Sequence, residues 1–281
     1  MNKIIRNIVI VGLFTVGGGW LGIWLNNVTG NTMPPLQSLG ALVWLTTPAL
    51  FGFFLRAFGG DGWQDAGFGL NLPSGWKWYL LAILIYPLAS LLTFAFAALF
   101  GIVSADGFAA QGFNAYLSAA GVIFAGSLMK NFFEEFAWRS YLTPRLEAAK
   151  VHPIVNHIIV GILWMTWHLP YYYYYLDRAT LESSITTSIP VFILLGYLVM
   201  IPTSILFGEL RLVSKSTWTV FLLHMVINAL SMPLLINGFI EVHGKMAPVF
   251  TPTNEGVIVS LLFGVSGWML MKYRLKNVGH A

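Results

Sequence analysis

The chain has 281 residues, of which 57% are hydrophobic and only 9% charged, and its mean hydropathy is +0.73. A water-soluble domain carries about a quarter charged residues, so this composition excludes one and points to a protein integral to the membrane. The formal charge of +4 is scattered singly near the ends of apolar runs, which argues against a nucleic-acid partner, and the absence of cysteine removes disulfides, thiolate metal sites and a cysteine nucleophile.

Apolar runs of spanning length fall at roughly 4–25, 36–58, 76–102, 113–142, 153–171, 188–209, 218–236 and 255–272, separated by turns rich in Gly, Pro, Asn and Asp. They are continuous, where the strands of a membrane barrel would alternate over ~10 residues. The reading is an all-α, polytopic membrane helix bundle of about eight transmembrane helices, forming a single transmembrane domain over 1–281. The first run continues through Gly17, Gly18, Gly19 and Trp20 without a small-residue cleavage site, so it reads as an uncleaved span. Pro48, Pro87, Pro202 and Pro233 fall inside runs and predict kinks.

Lys3, Arg6, Arg56, Lys77, Arg145, Lys150, Arg211, Lys215, Lys272, Arg274 and Lys276 collect on one side of such a bundle, and only Arg178 and Lys245 on the other. That asymmetry predicts cytoplasmic termini. The run Tyr171 to Tyr175 follows Pro170 at the predicted outer end of span five, where it suits an aromatic belt or the lining of a substrate route.

Span four breaks the pattern, because it carries Lys130, Glu134, Glu135 and Arg139. A charge at mid-membrane costs at least ~2.5–3.5 kcal/mol, so such groups need partners or a wet cavity. Lys130 and Glu134 are neighbours at i,i+4, as are Glu135 and Arg139, and two ion pairs within one helix are a sufficient explanation of that span alone. Span five, however, ends in Trp164-Met-Thr-Trp-His168, and span seven places His224 and Asn228 on one face. Four groups from three helices, able to handle protons or hold a metal, suggest a site. Counted at ~1.5 Å per residue from the predicted cytoplasmic ends, Glu134 lies ~16 Å deep, His224 ~9 Å, Asn228 ~15 Å and His168 ~22 Å, a spread that upright helices would not close. His152 and His157 near the start of span five, His243 in a loop and His280 beside the terminus read as interfacial or exposed.

In order along the chain stand Glu134-Glu135-x-x-x-Arg139, an aromatic-x-x-x-His ending at His168, and His224-x-x-x-Asn228. This pattern resembles the CPBP intramembrane protease family, named for CAAX proteases and bacteriocin-processing enzymes and also called Abi. The motifs run from about Lys130 to Asn228, within a core at about 113–236. Trp138-Arg139-Ser-Tyr-Leu is similar to the family's aromatic-Arg-Gly-x-Leu continuation, and His168-Leu-Pro170 to its second motif. Trp164 and Trp138 stand where the family has Phe, and Ser140 where it has Gly; Lys130 is not a motif position.

The resemblance implies an intramembrane endopeptidase in which Glu134 and His168 activate water, while His224 and Asn228 stabilise the oxyanion or help position the group, with Glu135 and Arg139 supporting and Trp138 and Trp164 shaping the substrate cleft. A metalloprotease version, with Glu134, His168, His224 and Asn228 holding a divalent metal such as zinc, stays open, although no H-E-x-x-H helix is present. The implied partners are membrane lipids and a peptide or membrane-protein substrate, in a prokaryotic cytoplasmic membrane. The competing expectations are a non-proteolytic scaffold or bacteriocin-immunity protein, and a small transporter using the same ionisable groups as a relay.

Overall fold

A computed structural model of the protein describes residues 3–278; His280 lies outside the described residues. Two long apolar helices, α1 (Lys3–Val28) and α2 (Leu39–Ala57), open the chain as a closely crossed pair. Gly22 and Gly40 make the crossing possible, since a Cβ on either would overlap the other's carbonyl oxygen. The turn between them is closed by polar side chains. Ser38 Oγ caps α2 by accepting the Ala41 N–H at 3.1 Å, and Asn26 donates to Ser38 Oγ at 2.7 Å while accepting the Gly40 N–H at 2.9 Å.

The chain continues through α3 (Leu72–Leu99), the short α4 (Asp106–Gln111) and α5 (Phe113–Glu135). From Phe136 to Leu142 the backbone widens into a π-helical stretch before α6 (Thr143–Ala148). Next come α7 (Pro153–Pro170), a second π-helical stretch over Tyr171–Tyr175, α8 (Arg178–Ser184), α9 (Ile189–Ser214), α10 (Thr217–Ile236), the single turn α11 (Ala247–Phe250) and α12 (Val257–Val278). Asp177 caps α8 by accepting from Thr180, and that hydrogen bond holds its carboxyl below the usual range. Strand structure among the described residues is confined to an antiparallel pairing of Val103–Ser104 with Glu241–Val242.

The bundle is all-α, and six of its helices, α1, α2, α3, α9, α10 and α12, are long and apolar enough to cross a membrane. Of the helices that fall short of that description, the two longest, α5 and α7, carry the ionisable groups of spans four and five and lie within the same bundle, α5 along α10 and α7 along α9. The four intraspan prolines lie inside helices that remain continuous.

Many basic residues counted for orientation also hold the fold together. Arg56, 2% exposed, donates to Gly62 O and to Asp65 at 2.7 Å and also to Ser140 O, while Arg145 pairs with Asp65. Tyr141 donates to Asp61 at 2.6 Å, and Ser140 hydrogen-bonds Thr217 at 2.8 Å. The π-helical stretch after α5 is thus tied to the α2–α3 loop and to the start of α10. His157 is not interfacial: it is fully buried and bonds Glu209 at 2.8 Å, and Glu209 also accepts from Arg274 at 2.7 and 2.9 Å. A buried carboxylate shared by α7, α9 and α12 needs those donors, and they draw His157 inward.

Candidate active site

The three helices singled out by their polar residues, α5, α7 and α10, face a common cavity of about 460 Å³. Lys130, Glu134, Trp164, His168, His224 and Asn228 all line it, among mostly apolar neighbours. The depth mismatch counted from the sequence is bridged by Trp164. Its indole Nε1 donates to Glu134 Oε2 at 2.7 Å, and its carbonyl accepts the His168 Nδ1–H at 2.9 Å. A carbonyl can only accept, so His168 carries its proton on Nδ1 and keeps the Nε2 lone pair for another partner when neutral.

Glu134 is buried, and Lys130 donates to its other oxygen, Oε1. Lys130 itself is 31% exposed on the cavity side of that ion pair, so one partner of a buried carboxylate remains within reach of anything that enters. Glu135 points away from Glu134. Its Oε1 accepts from His224 Nδ1 at 2.7 Å and from Arg139 at 3.4 Å, fixing the His224 ring with Nε2 left for the cavity. Arg139 is fully buried, its guanidinium 4.0 Å from the centre of the Trp164 ring and 4.7 Å from that of Phe207. Its Nε and Nη2 find no hydrogen-bond partner, and neither does Glu135 Oε2.

Asn228 donates to Asn131 Oδ1 at 2.9 Å, and Asn131 in turn donates to the Met225 sulfur. Sequence reasoning passed over Asn131. The signal it offered was an amide one helical turn from Glu134 and Glu135, beside Lys130 on the same apolar span. The two tryptophans part company. Trp164 is on the cavity wall, whereas Trp138 is fully buried behind it, its ring 6.4 Å from that of Trp164 and 6.0 Å from that of Trp167. The tyrosine run divides likewise: Tyr171 and Tyr172 line the cavity, with Tyr172 stacked 5.7 Å from His168, and Tyr175 is buried against Trp44.

Among the described residues no three His, Asp or Glu side chains converge as metal ligands. Glu134 is already engaged by an ammonium and an indole N–H. In this arrangement the Glu134 carboxylate is committed to those two donors and is not open to a divalent ion.

Residues 116–230 match a family model described as type II CAAX prenyl endopeptidase Rce1-like, and the matched stretch begins in α5 and ends in α10. No curated protein matches the chain. The family is one of membrane peptide hydrolases, and the chain that carries it is an integral, multi-pass membrane protein. Residues 116–230 thus carry an Rce1-like domain of the CPBP family.

Proposed function

We propose that the protein is an intramembrane endopeptidase that hydrolyses a peptide bond of a membrane-associated or lipid-bearing peptide, using water activated by Glu134 and His168. The observation that carries this reading is the convergence of Glu134, His168, His224 and Asn228, from three helices, on one cavity. Both termini face the cytoplasm in this reading, in keeping with the excess of Lys and Arg on that side.

A water held between Glu134 and His168 Nε2 gives up a proton to this pair as its oxygen adds to the substrate carbonyl carbon. His224, charged, donates from Nε2 to the oxyanion that forms, and the Glu135 carboxylate on its other nitrogen balances that charge. Asn228 offers the N–H of its amide that Asn131 does not use. The proton then passes to the leaving nitrogen, the carbon–nitrogen bond breaks, and an acid and an amine result.

Lys130 and Trp164 hold Glu134 in the substrate-free state. Lys130, partly exposed and on a flexible stem, must turn toward the substrate before the carboxylate can face water. The mostly apolar wall suits the lipid-bearing or membrane-embedded part of a substrate.

The test is a library of membrane-anchored peptides presented in detergent to the wild type, to Glu134→Gln and to His168→Ala, each matched in thermal unfolding. Cleavage by the wild type and its loss by at least a hundredfold in both variants is the expected result. Cleavage that survives both changes refutes the mechanism, and vectorial solute transport without hydrolysis in proteoliposomes refutes the protease reading. Activity that disappears on chelation and returns with zinc would restore the metal-dependent version.

A further inference from the structure

Three charged side chains line the cavity: Lys130, Glu134 and Glu255. Lys130 and Glu134 neutralise each other. Glu255 makes no hydrogen bond or ion pair among the described residues, so it is a carboxyl of the wall left without a partner.

The segment that carries Glu255 is firmly placed. Asn254 accepts from Ser231 Oγ at 2.6 Å and returns its backbone N–H to the same oxygen at 3.3 Å, fixing the segment to α10. Tyr86 and Ser90 of α3 both donate to Pro252 O. Gly256 closes the turn into α12 by donating to Thr253 O at 3.0 Å, and a Cβ there would overlap the Thr251 carbonyl oxygen. Glu255 lines the cavity together with Tyr171 and Tyr172.

His224, Asn228 and Ser231 stand on one face of α10, and all three line the cavity. From His224 to Ser231 the helix rises ~10 Å at ~1.5 Å per residue. Glu255 therefore sits near the Ser231 level, about three extended residues, at ~3.3 Å each, from the reacting groups.

Resting on the protease reading, we propose that Glu255 is a specificity-determining residue that accepts hydrogen bonds from a Lys or Arg side chain of the peptide substrate, about three residues from the bond that is cut. A carboxylate just ahead of α12 also suits that helix's dipole, but such a role would act on stability and not on substrate choice.

The experiment starts from a peptide cleaved by the wild type in the library assay. Each position within four residues of the cut is replaced in turn by Lys, Gln and Glu, and kcat/KM is measured for wild type, Glu255→Gln and Glu255→Lys, with thermal unfolding recorded for all three. The wild type is expected to favour Lys over Gln about tenfold at one position near the third from the cut, the loss expected for one charge-assisted hydrogen bond. Glu255→Gln should erase that preference while keeping the rate on the Gln peptide, and Glu255→Lys should favour Glu. Equal rates for Lys and Gln at every position, or a preference that persists in Glu255→Gln, overturn the inference and leave the protease reading standing. A library from which the wild type cleaves nothing overturns both.

Discussion

Replacing Glu135 by Gln removes the negative charge that faces both Arg139 and His224 while keeping the shape of the side chain. The two partners have different fates. Arg139 is fully buried, already lacks partners for two of its guanidinium nitrogens and has aromatic rings on the remaining sides. Stripping the carboxylate from a buried ion pair of this kind costs about 3–5 kcal/mol, because the remaining charge has no compensation. His224 loses the acceptor that orients its ring at 2.7 Å, a change that lowers activity about 10–100-fold where such an outer partner positions a reacting imidazole. The double variant Glu135→Gln/Arg139→Met separates these effects. It should recover stability to within about 1 kcal/mol of wild type, since the buried guanidinium leaves together with its carboxylate, yet stay as impaired in kcat/KM as Glu135→Gln alone. Chemical or thermal unfolding in micelles reads the first quantity and peptide cleavage the second. A double variant with full hydrolytic activity would show that Glu135 serves only as the counterion of Arg139, and the orienting argument for His224 would fall.

Further substitutions probe the remaining contacts. Trp164→Phe keeps the ring and removes one of two donors to Glu134, so kcat/KM should fall about tenfold, equivalent to ~1.4 kcal/mol; a loss as deep as that of Glu134→Gln would make the indole part of the reaction itself. Asn131→Leu should lower kcat/KM about tenfold by releasing Asn228, and combining it with Asn228→Ala should add little, so independent, multiplying losses would refute their coupling. Glu209→Gln, between His157 and Arg274, should cost about 3–5 kcal/mol in unfolding and leave the kcat/KM of the folded fraction unchanged. Gly22→Val should force α1 from α2 and destabilise by at least ~1–3 kcal/mol, read as a lower unfolding midpoint; an unchanged midpoint would mean that the crossing is loose.

The spans were legible because an apolar helix that crosses a bilayer must be long and continuous, whatever its neighbours do. The runs at 188–209 and 218–236 therefore lie within or match α9 and α10 to within a few residues. The run at 113–142 was read as one helix, but after Glu135 it is π-helical, because its stretched backbone and side chains are held by Arg56, Asp61 and Thr217, partners far away in the sequence. His157 was misplaced for the same reason: its partner Glu209 lies on another helix. The composition of the site was readable from i,i+4 spacings and from the cost of charge in lipid. Its connectivity was not. That Trp164 joins Glu134 to His168, and that Asn131 stands behind Asn228, depends on how helices cross, which no local pattern records. Glu255 escaped notice because at the edge of the last apolar run it looks like any loop carboxylate.

The wide-turned backbone from Phe136 to Leu142 makes this part of the chain sensitive to length as well as to chemistry. A regular helix turns by about 100° per residue, so removing one residue there would swing everything downstream by that angle. Arg145 would leave Asp65, and α7 would present His168 to a different neighbour. The residue count of the segment, as much as its side chains, is the gauge that sets one half of the cavity against the other.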